Sequence, residues 1–486
     1  MKKITFLTLT LSLFLVGSVS AQKEVWVAAV AAGAANGTSE ANAYGSFATA
    51  LADITAAGDV LKVVGTIAAG SQNLSLATVL IPTGNKNFQY TIEGVGVGAT
   101  LTGTDGLTRM FTINDPAAAG QDVTFRNIKF TGSTNVSQIG GGVLYSNQPG
   151  VSITFEDCRF EGNSLAATYL NNQGVPTIPA GGGALNITNS SVTITNCLFK
   201  ENQALRSGGA IHIGALANAT ITGSTFYKNT TTDTNGAFGA AALYVVSTGV
   251  VTVDHCTFFQ NNIGHSNQDY GTIRTEAPAN TANVCTTVTN SLFYGNKVKN
   301  NDGTLGAPSD WGSAPHGIQT FSKSIGQWIT SNIDFVTNSK TFVKNGPDPL
   351  AAANLASSNL TYDDALGKVT YTAPTVAGEN SPIGFVAAGD DAGAWQSGLT
   401  LSLKDNEFAA NFSVSYNAKT KNLKVLRSNE DSVSLEIYNL MGSKVLSRKN
   451  ASKEENISAS SLQSGVYILV AKGSGNKSFA QKLVIN

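Results

Sequence analysis

The densest group of residues able to transfer protons lies between positions 254 and 276. It combines carboxylates, imidazoles and one guanidinium: Asp254, His255, His265, Asp269, Arg274 and Glu276. General acid–base catalysis requires a proton donor and a proton acceptor within hydrogen-bond reach of a substrate. The catalytic candidates are therefore Asp254, His265, Asp269 and Glu276. The alternative interpretation places His255 in a repeated corner and His265 and Asp269 in a loop, with no catalytic role.

Acidic residues do not recur at matched positions. Hydrolysis of a glycosidic bond uses two carboxylates held several ångströms apart. Glu156-Asp157 has no acidic partner in the neighbouring repeats, where Arg126-Asn127 and Thr195-Asn196 occupy the equivalent positions. No His or Cys lies at a spacing typical of zinc ligands. We therefore predict no metal and no cofactor, with calcium expected only if the protein is a lyase, and catalysis is the weaker hypothesis.

A repeat ending in phenylalanine positions these residues. Its six copies are VTFRNIKF, ITFEDCRF, VTITNCLF, TITGSTFY, VTVDHCTF and TTVTNSLF, with Phe130, Phe160, Phe199, Phe226, Phe258 and Phe293 near their ends. Within a copy the apolar period is two: Val192 and Ile194 face inward, whereas Thr193, Thr195 and Leu198 face outward. No copy can bury its apolar face alone. The copies should therefore stack as coils of a parallel β-solenoid, about 4.8 Å apart.

Two columns of polar residues flank the phenylalanines and indicate corners. Three residues before them are Asn127, Asp157, Asn196, Gly223, His255 and Asn290, and three after them are Ser133, Asn163, Asn202, Asn229, Asn261 and Asn296. Asn, Asp and Gly tolerate a left-handed backbone, and stacked amides hydrogen-bond along the solenoid axis. Cys158, Cys197 and Cys256 lie two residues before a phenylalanine, which predicts small buried side chains.

A second pattern, GGVLY, GGALN, GGAIH, AALYV and GTIRT, recurs between the copies. It predicts a row of exposed planar side chains on successive coils, formed by Tyr145, Asn186, His212, Tyr244 and Arg274. Planar rings and a guanidinium suit the faces and hydroxyls of sugars. We therefore predict glycan binding on this row. The alternative is an ordinary exposed β face, in which aromatic residues are favoured by strand propensity. In either case, replacing Tyr244 and Arg274 with Ala should change stability little.

The composition excludes several other classes of protein. Only 13% of the 486 residues are charged, and the 50 glycines accompany many Thr, Ser and Asn residues. Scarce Glu, Lys and Leu argue against a helical bundle, and a net charge of −1 gives no general attraction to nucleic acid. Residues 22–398 carry 17 basic and 25 acidic residues, whereas 399–486 carry 12 and 7. This shift indicates a domain boundary.

The first 21 residues have the pattern of a signal peptide. Lys2 and Lys3 precede an apolar run of 13 residues from Ile4 to Val16, and Val19-Ser20-Ala21 forms a small-residue cleavage site. An uncleaved anchor is the alternative, but this run is too short for a stable membrane span. No later run is long enough to span a membrane. The mature protein is therefore expected outside the cytoplasm.

The FxxN and GGAI signatures, including Gly208-Gly209-Ala210-Ile211, resemble repeats of polymorphic outer-membrane proteins and related right-handed parallel β-helix proteins. The resemblance covers about residues 120–300 and implies an all-β, pectate-lyase-like right-handed solenoid. Phe47, Leu51 and Ile54 at helical spacing predict a short helix that covers its first coil. Ser381-Pro382-Ile383 and the segment 391–395 resemble closing motifs of that group. We predict a β-helix domain over 22–397 and a linker over 398–411.

Residues 412–486 resemble the type A C-terminal sorting domain of type IX secretion cargo. The resemblance rests on LEIYNLMGSKVL, SLQSGVYILV and QKLVIN, with Gly442, Gly465, Val466 and Tyr467 at its most recognisable positions. Short alternating strands predict a small immunoglobulin-like sandwich. The resemblance implies contact with the type IX machinery and delivery to the cell surface or outside. The alternative is a sugar-binding accessory domain.

Two functions follow from these features. The leading hypothesis is a secreted or cell-surface β-helix without catalytic activity, which binds a polysaccharide or a host surface as an adhesin does. The alternative is a polysaccharide lyase or glycoside hydrolase that uses the same face.

Overall fold

A computed structural model describes the protein in two groups of strands. The described residues are 22–70, 72–74, 88–103, 109–114, 120–135, 140–165, 169–170, 176–177, 181–232, 239–265, 271–276, 284–300, 302–313, 318–322, 341–343, 360–371, 412–417, 421–427, 433–439, 444–449, 452–460, 462, 465–472 and 478–485. They fall into two compact units, one up to residue 371 and one from residue 412. The predicted signal peptide, the linker over 398–411 and the closing motifs lie outside the described residues.

The first unit is a parallel β-helix in which each complete coil visits four sheets in turn. Sheet 1 consists of Glu24–Ala28, Val60–Val64, Gln89–Gly94, Asp122–Arg126, Ser152–Glu156, Ser191–Thr195, Asn218–Thr222, Val251–Asp254, Val284–Thr289, Ile318–Ser322 and Thr341–Val343. Sheet 2 consists of Thr66–Ala68, Ala99–Thr102, Ile128–Thr131, Arg159–Glu161, Leu198–Lys200, Thr225–Tyr227, Thr257–Phe259 and Leu292–Tyr294.

Sheets 3 and 4 complete the coils. Sheet 3 consists of Thr134–Asn135, Ser164–Leu165, Gln203–Ala204, Thr230–Thr231, Asn262–Ile263, Lys297–Lys299 and an antiparallel final strand, Leu305–Pro308. Sheet 4 consists of Gln72–Asn73, Phe111–Ile113, Leu144–Asn147, Leu185–Thr188, Ile211–Ile213, Leu243–Val245, Ile273–Thr275 and Trp311–Ser313. The predicted stacking of the repeats is confirmed. The right-handed course implied by the resemblance stays a prediction.

The inward positions form one continuous core along the stack. Its centre is a column of phenylalanines, which are fully buried. Ring centroids of successive members, from Phe130 to Phe293, lie 5.0, 4.5, 4.9, 4.6 and 4.7 Å apart, and the rings are nearly parallel. Stacked rings remove large apolar areas from water, the main driving force for folding. Each coil therefore needs the next one for its core.

The two predicted corner columns differ in backbone conformation. The first is left-handed, with φ of 54° at both Asn127 and Asn196, 59° at Gly223 and 48° at His255. In the second corner the left-handed residue is the one before the predicted position: Gly132, Gly162, Glu201, Lys228, Gln260 and Gly295. The expectation of a left-handed backbone at the second column was therefore wrong. The side chains at those positions instead form the hydrogen bonds described next.

The second corner column is a buried ladder of side-chain amides, here called the amide column: Asn163, Asn202, Asn229, Asn261 and Asn296. Asn229 Nδ2 donates to the oxygen atoms Phe199 O at 2.8 Å and Asn261 Oδ1 at 3.0 Å. Its Oδ1 accepts from both nitrogens of Asn202 at 3.0 Å. The final member, Asn296, donates to buried Asp310. The amide column thereby satisfies backbone groups that the corner leaves without strand partners.

Both an N-terminal helix and a hairpin cover parts of the stack. The predicted helix is present as Phe47–Ala52, and the Ser46 hydroxyl accepts a hydrogen bond from the Thr49 amide. A 3-10 turn, Glu40–Asn42, precedes it. The hairpin of Leu360–Asp363 and Lys368–Tyr371 lies against sheet 2. Leu198, expected to be exposed, is buried, because Gly367 of this hairpin lies beside it.

The structure also describes a short pair of strands in an insert of the first unit, and the second unit. A short antiparallel pair, Tyr169–Leu170 and Pro176–Thr177, lies within the long insert between two coils. The second unit is a small antiparallel sandwich. One sheet consists of Phe412–Asn417, Asn422–Arg427 and Glu454–Ser458, and the other of Lys444–Arg448, Ser434–Asn439, Gly465–Lys472 and Ser478–Ile485. Buried residues from both sheets form its own core. The predicted sandwich is confirmed.

We predict that Asn229→Ala lowers the free energy of unfolding by about 3 kcal/mol, because it leaves several buried groups without hydrogen-bond partners. Chemical denaturation of the purified chain measures the loss. The control, Thr220→Ala, changes an exposed residue of sheet 1 and should stay within about 0.5 kcal/mol of the parent. Equal effects of the two substitutions would contradict a structural role for the amide column.

Candidate functional site

The predicted row of planar side chains is present on sheet 4, and we call it the planar row: Tyr145, Asn186, His212, Tyr244 and Arg274. Each member is paired in parallel register with the next along the axis. Their neighbours in each strand, such as Leu185 and Ile211, belong to the core. The alternation of strand side chains therefore directs the planar row away from the core.

The exposure predicted for this row was wrong. Residue exposure is only 8% at Tyr145, 4% at Asn186, 5% at both His212 and Tyr244, and 6% at Arg274. Strand periodicity determines which face a residue occupies but not what lies over that face, so it could not predict this burial. The expectation that replacing Tyr244 and Arg274 with Ala changes stability little depended on that exposure, whereas both substitutions remove buried groups.

Charged groups and aromatic rings of the row contact one another. The Tyr244 hydroxyl donates to Glu276 Oε2, and Arg274 Nη2 lies 3.5 Å from the same oxygen. The Arg274 guanidinium carbon lies 6.0 Å from the centre of the Tyr244 ring. At the other end the guanidinium carbon of Arg109 lies 4.9 Å from the centre of the Tyr145 ring, within cation–π range. Burial lowers the pKa of Arg109 to about 10.

Arg109 was not predicted from the sequence. It precedes the strand Phe111–Ile113, in a coil that lacks the phenylalanine repeat. No repeat position could therefore assign it to the row.

His212 occupies the middle of the row. Its ring centroid lies 5.5 Å from that of Tyr244. Burial lowers the pKa of His212 to about 4, so the imidazole is neutral at pH 7. Within the described residues, its Nδ1 has no hydrogen-bond partner. A Cβ at Gly214 would lie 3.1 Å from His212 Nε2 and 2.6 Å from Thr188 Oγ1, so only glycine leaves room beside this ring.

The catalytic candidates do not form one cluster in the described residues. Asp254 ends a strand of sheet 1, and its carboxylate accepts hydrogen bonds from Thr289 at 2.6 Å and Asn290 at 2.9 Å. Burial alone would raise the pKa of Asp254, but these bonds and one from His255 lower it. Glu276 instead follows a strand of sheet 4, and its carboxylate accepts a hydrogen bond from the Tyr244 hydroxyl. His265 is buried, and Asp269 lies outside the described residues.

Other sequence-based expectations can be placed in the structure. Cys158, Cys197 and Cys256 are buried thiols, as predicted. Among the described residues, no three or more His, Cys, Asp or Glu side chains are grouped closely enough to hold a metal ion. Within the same residues, no helix has the length and apolar character needed to cross a membrane.

The sorting residues lie in the second unit. Gly465, Val466 and Tyr467 begin the strand Gly465–Lys472, which pairs with both Ser434–Asn439 and Ser478–Ile485. Tyr467 packs into the sandwich core, and Gly442 lies outside the described residues. Residues 414–486 match the family described as the secretion system C-terminal sorting domain. This match supports export by the type IX secretion system. Comparison of the chain with curated proteins finds no match.

We predict that protein stability falls between pH 7 and pH 5 through His212. Its pKa is about 4 in the folded protein against an ordinary value of 6.5, so the unfolded chain takes up the proton first as the pH decreases. The contribution is about 2 kcal/mol over this range. Urea unfolding at both pH values should show a smaller decrease for His212→Gln than for the parent. Identical decreases would contradict the burial of a neutral imidazole.

Proposed function

We propose that this protein is exported by the type IX secretion system to the cell surface or the extracellular space, where its planar row binds a glycan. The match of residues 414–486 to a sorting domain supports the export route. The chemistry of the planar row supports the binding. In this role the protein acts as an adhesin-like surface protein and needs no cofactor.

The observation that carries the proposal is the burial of polar side chains on the outer face of sheet 4. Arg and Asn are seldom buried, and each loses hydration that an apolar side chain would not need. Residues that lower stability in this way are typical of functional sites. Asn186 and Arg274 supply hydrogen-bond donors, and the hydroxyls of Tyr145 and Tyr244 supply further hydrogen-bonding groups.

Glycans that carry carboxylates suit the row best. The Tyr244 hydroxyl and the Arg274 guanidinium both point toward one carboxylate oxygen of Glu276. Both groups are hydrogen-bond donors suited to a carboxylate. Arg109 adds a second guanidinium beside Tyr145. These groups together carry two positive charges and one negative charge, with His212 neutral. The two guanidinium groups favour an acidic polysaccharide over a neutral one.

Binding to an acidic polysaccharide and to its neutral ester tests the site. The purified chain should be retained more strongly on immobilised polygalacturonate than on the same polymer after methyl esterification. Arg274→Gln and Tyr244→Phe should each weaken retention on the acid form about tenfold, because each removes a donor but keeps a planar side chain. Thr193→Ala, an exposed position on sheet 1, is the control and should leave retention unchanged.

The outcomes separate the two function classes. Full retention by folded Arg274→Gln and Tyr244→Phe proteins would place binding elsewhere and contradict the proposal. New reducing ends, or unsaturated products that absorb in the ultraviolet, would instead support the polysaccharide lyase or hydrolase.

A reporter fusion tests the export route. Residues 399–486 placed behind a signal peptide and a reporter should deliver the reporter to the surface of a bacterium that has the type IX system. The control ends at residue 464 and lacks the strands Gly465–Lys472 and Ser478–Ile485, which complete the sandwich. Retention of the full fusion in the periplasm would contradict export through this domain and favour an accessory binding domain.

A further inference from the structure

We infer that Cys158 and Cys197 form a disulfide in the exported protein and so link two neighbouring coils. The two residues follow paired strands of sheet 1 and precede paired strands of sheet 2. Glu156 is paired with Thr195, and Arg159 with Leu198. The cysteines therefore occupy the same position in successive coils. Both are buried, and both belong to the core.

The spacing of the coils suits this bond. Neighbouring parallel strands lie about 4.8 Å apart, within the Cα separation of about 4.4–6.8 Å found for disulfides. The Cys158 carbonyl accepts a hydrogen bond from the Leu198 amide, and the Cys197 carbonyl accepts one from the Thr225 amide. Equivalent backbone hydrogen bonds therefore join the successive coils at this position. After burial, contact with the Cys158 thiol is the next cause that raises the pKa of Cys197. The paired strands on both sides of the cysteines therefore place the two residues side by side in adjacent coils.

Cys256 provides an internal comparison at the same position of a later coil. The Cys256 amide donates to the Ser291 hydroxyl at 3.2 Å, and the Cys197 amide donates to the Ser224 hydroxyl at 3.0 Å. Serine thus occupies this position in the coils on both sides of Cys256. Cys158 and Cys197, in contrast, are in consecutive coils, so this pair alone among the three buried thiols described has a thiol neighbour at this position.

The export route supplies the conditions for oxidation. Disulfides form and persist in the bacterial periplasm and outside the cell, where thiols are not kept reduced. Two thiols lose two protons and two electrons as the sulfur–sulfur bond forms. The electrons pass to the disulfide of a periplasmic thiol–disulfide exchange protein, which becomes a dithiol, and the exchange proceeds through a mixed disulfide.

The bond should form before the coils close. Thiol–disulfide exchange requires a thiolate, and burial raises the pKa of Cys197. In the folded protein both thiols are also shielded from solvent, with exposures of 1% at Cys158 and 3% at Cys197. Folding therefore protects whichever redox state the pair has reached.

Mapping the free thiols of the secreted protein tests the inference. Full-length protein from the culture medium or cell surface is unfolded in an alkylating reagent without reductant, digested and analysed by mass spectrometry. We expect a linked peptide pair containing Cys158 and Cys197, whereas Cys256 should be alkylated as a free thiol. Alkylation of Cys158 and Cys197 to the same extent as Cys256 would overturn the inference.

Two further experiments test the order of events and the specificity of the pair. Protein refolded in a mixture of reduced and oxidised glutathione should contain the linked peptides, whereas protein folded with reductant and oxidised afterwards should not. Unfolding and refolding in a reductant should lower the thermal midpoint of the secreted parent but not that of Cys197→Ser. If the parent and Cys197→Ser respond equally to the reductant, the link between the coils is absent.

Discussion

The amide column is the interaction on which the rest of the structure depends. Each of its asparagines joins the coil before it and the coil after it through both ends of one side chain, as at Asn229. A buried corner without these bonds would leave backbone donors and acceptors unpaired, at a free-energy cost for each group. The adjacent phenylalanines can stack only if the corners repeat at the spacing of the strands. The amide column and the phenylalanine column therefore fix the same axial register.

That register creates the candidate site on sheet 4. Because every coil returns to the same position, residues far apart in the sequence lie beside one another, as His212 and Tyr244 do. Their inward neighbours pack in the core and hold the strands in place. The planar row thus lies directly outside the core. Its polar atoms are already oriented and partly desolvated, which strengthens their contacts with a ligand.

Much of the fold could be predicted from the sequence because the repeat encodes it twice. Alternation within VTITNCLF gives strands, and recurrence of Phe and Asn at matched positions gives stacked coils. The left-handed backbone at Asn127 and Asn196 also followed from residue type. At the second corner Lys228 and Gln260 adopt this conformation, although their residue types do not favour it. Tertiary packing determines that corner, so local preference could not predict it.

The site was predictable in its register but not in its surroundings. Periodicity assigned the planar row to one face. Its burial, and the association of Tyr244 with Glu276 and of Tyr145 with Arg109, depend on residues outside the repeated positions. The same limit applies to Leu198, which is covered by a hairpin more than 150 residues later in the chain. Only the adjacency of coils follows from a repeat, and contacts made by inserted or terminal segments do not.

Amide hydrogen exchange along the amide column tests the central claim most directly. If these corners hold the coils together, the backbone amides of Asn202, Asn229 and Asn261 should exchange only through unfolding of the whole β-helix. Their opening free energies should equal one another and those of the sheet 1 amides in the same coils. Rapid exchange of these three amides, while the sheet 1 amides stay protected, would contradict the account.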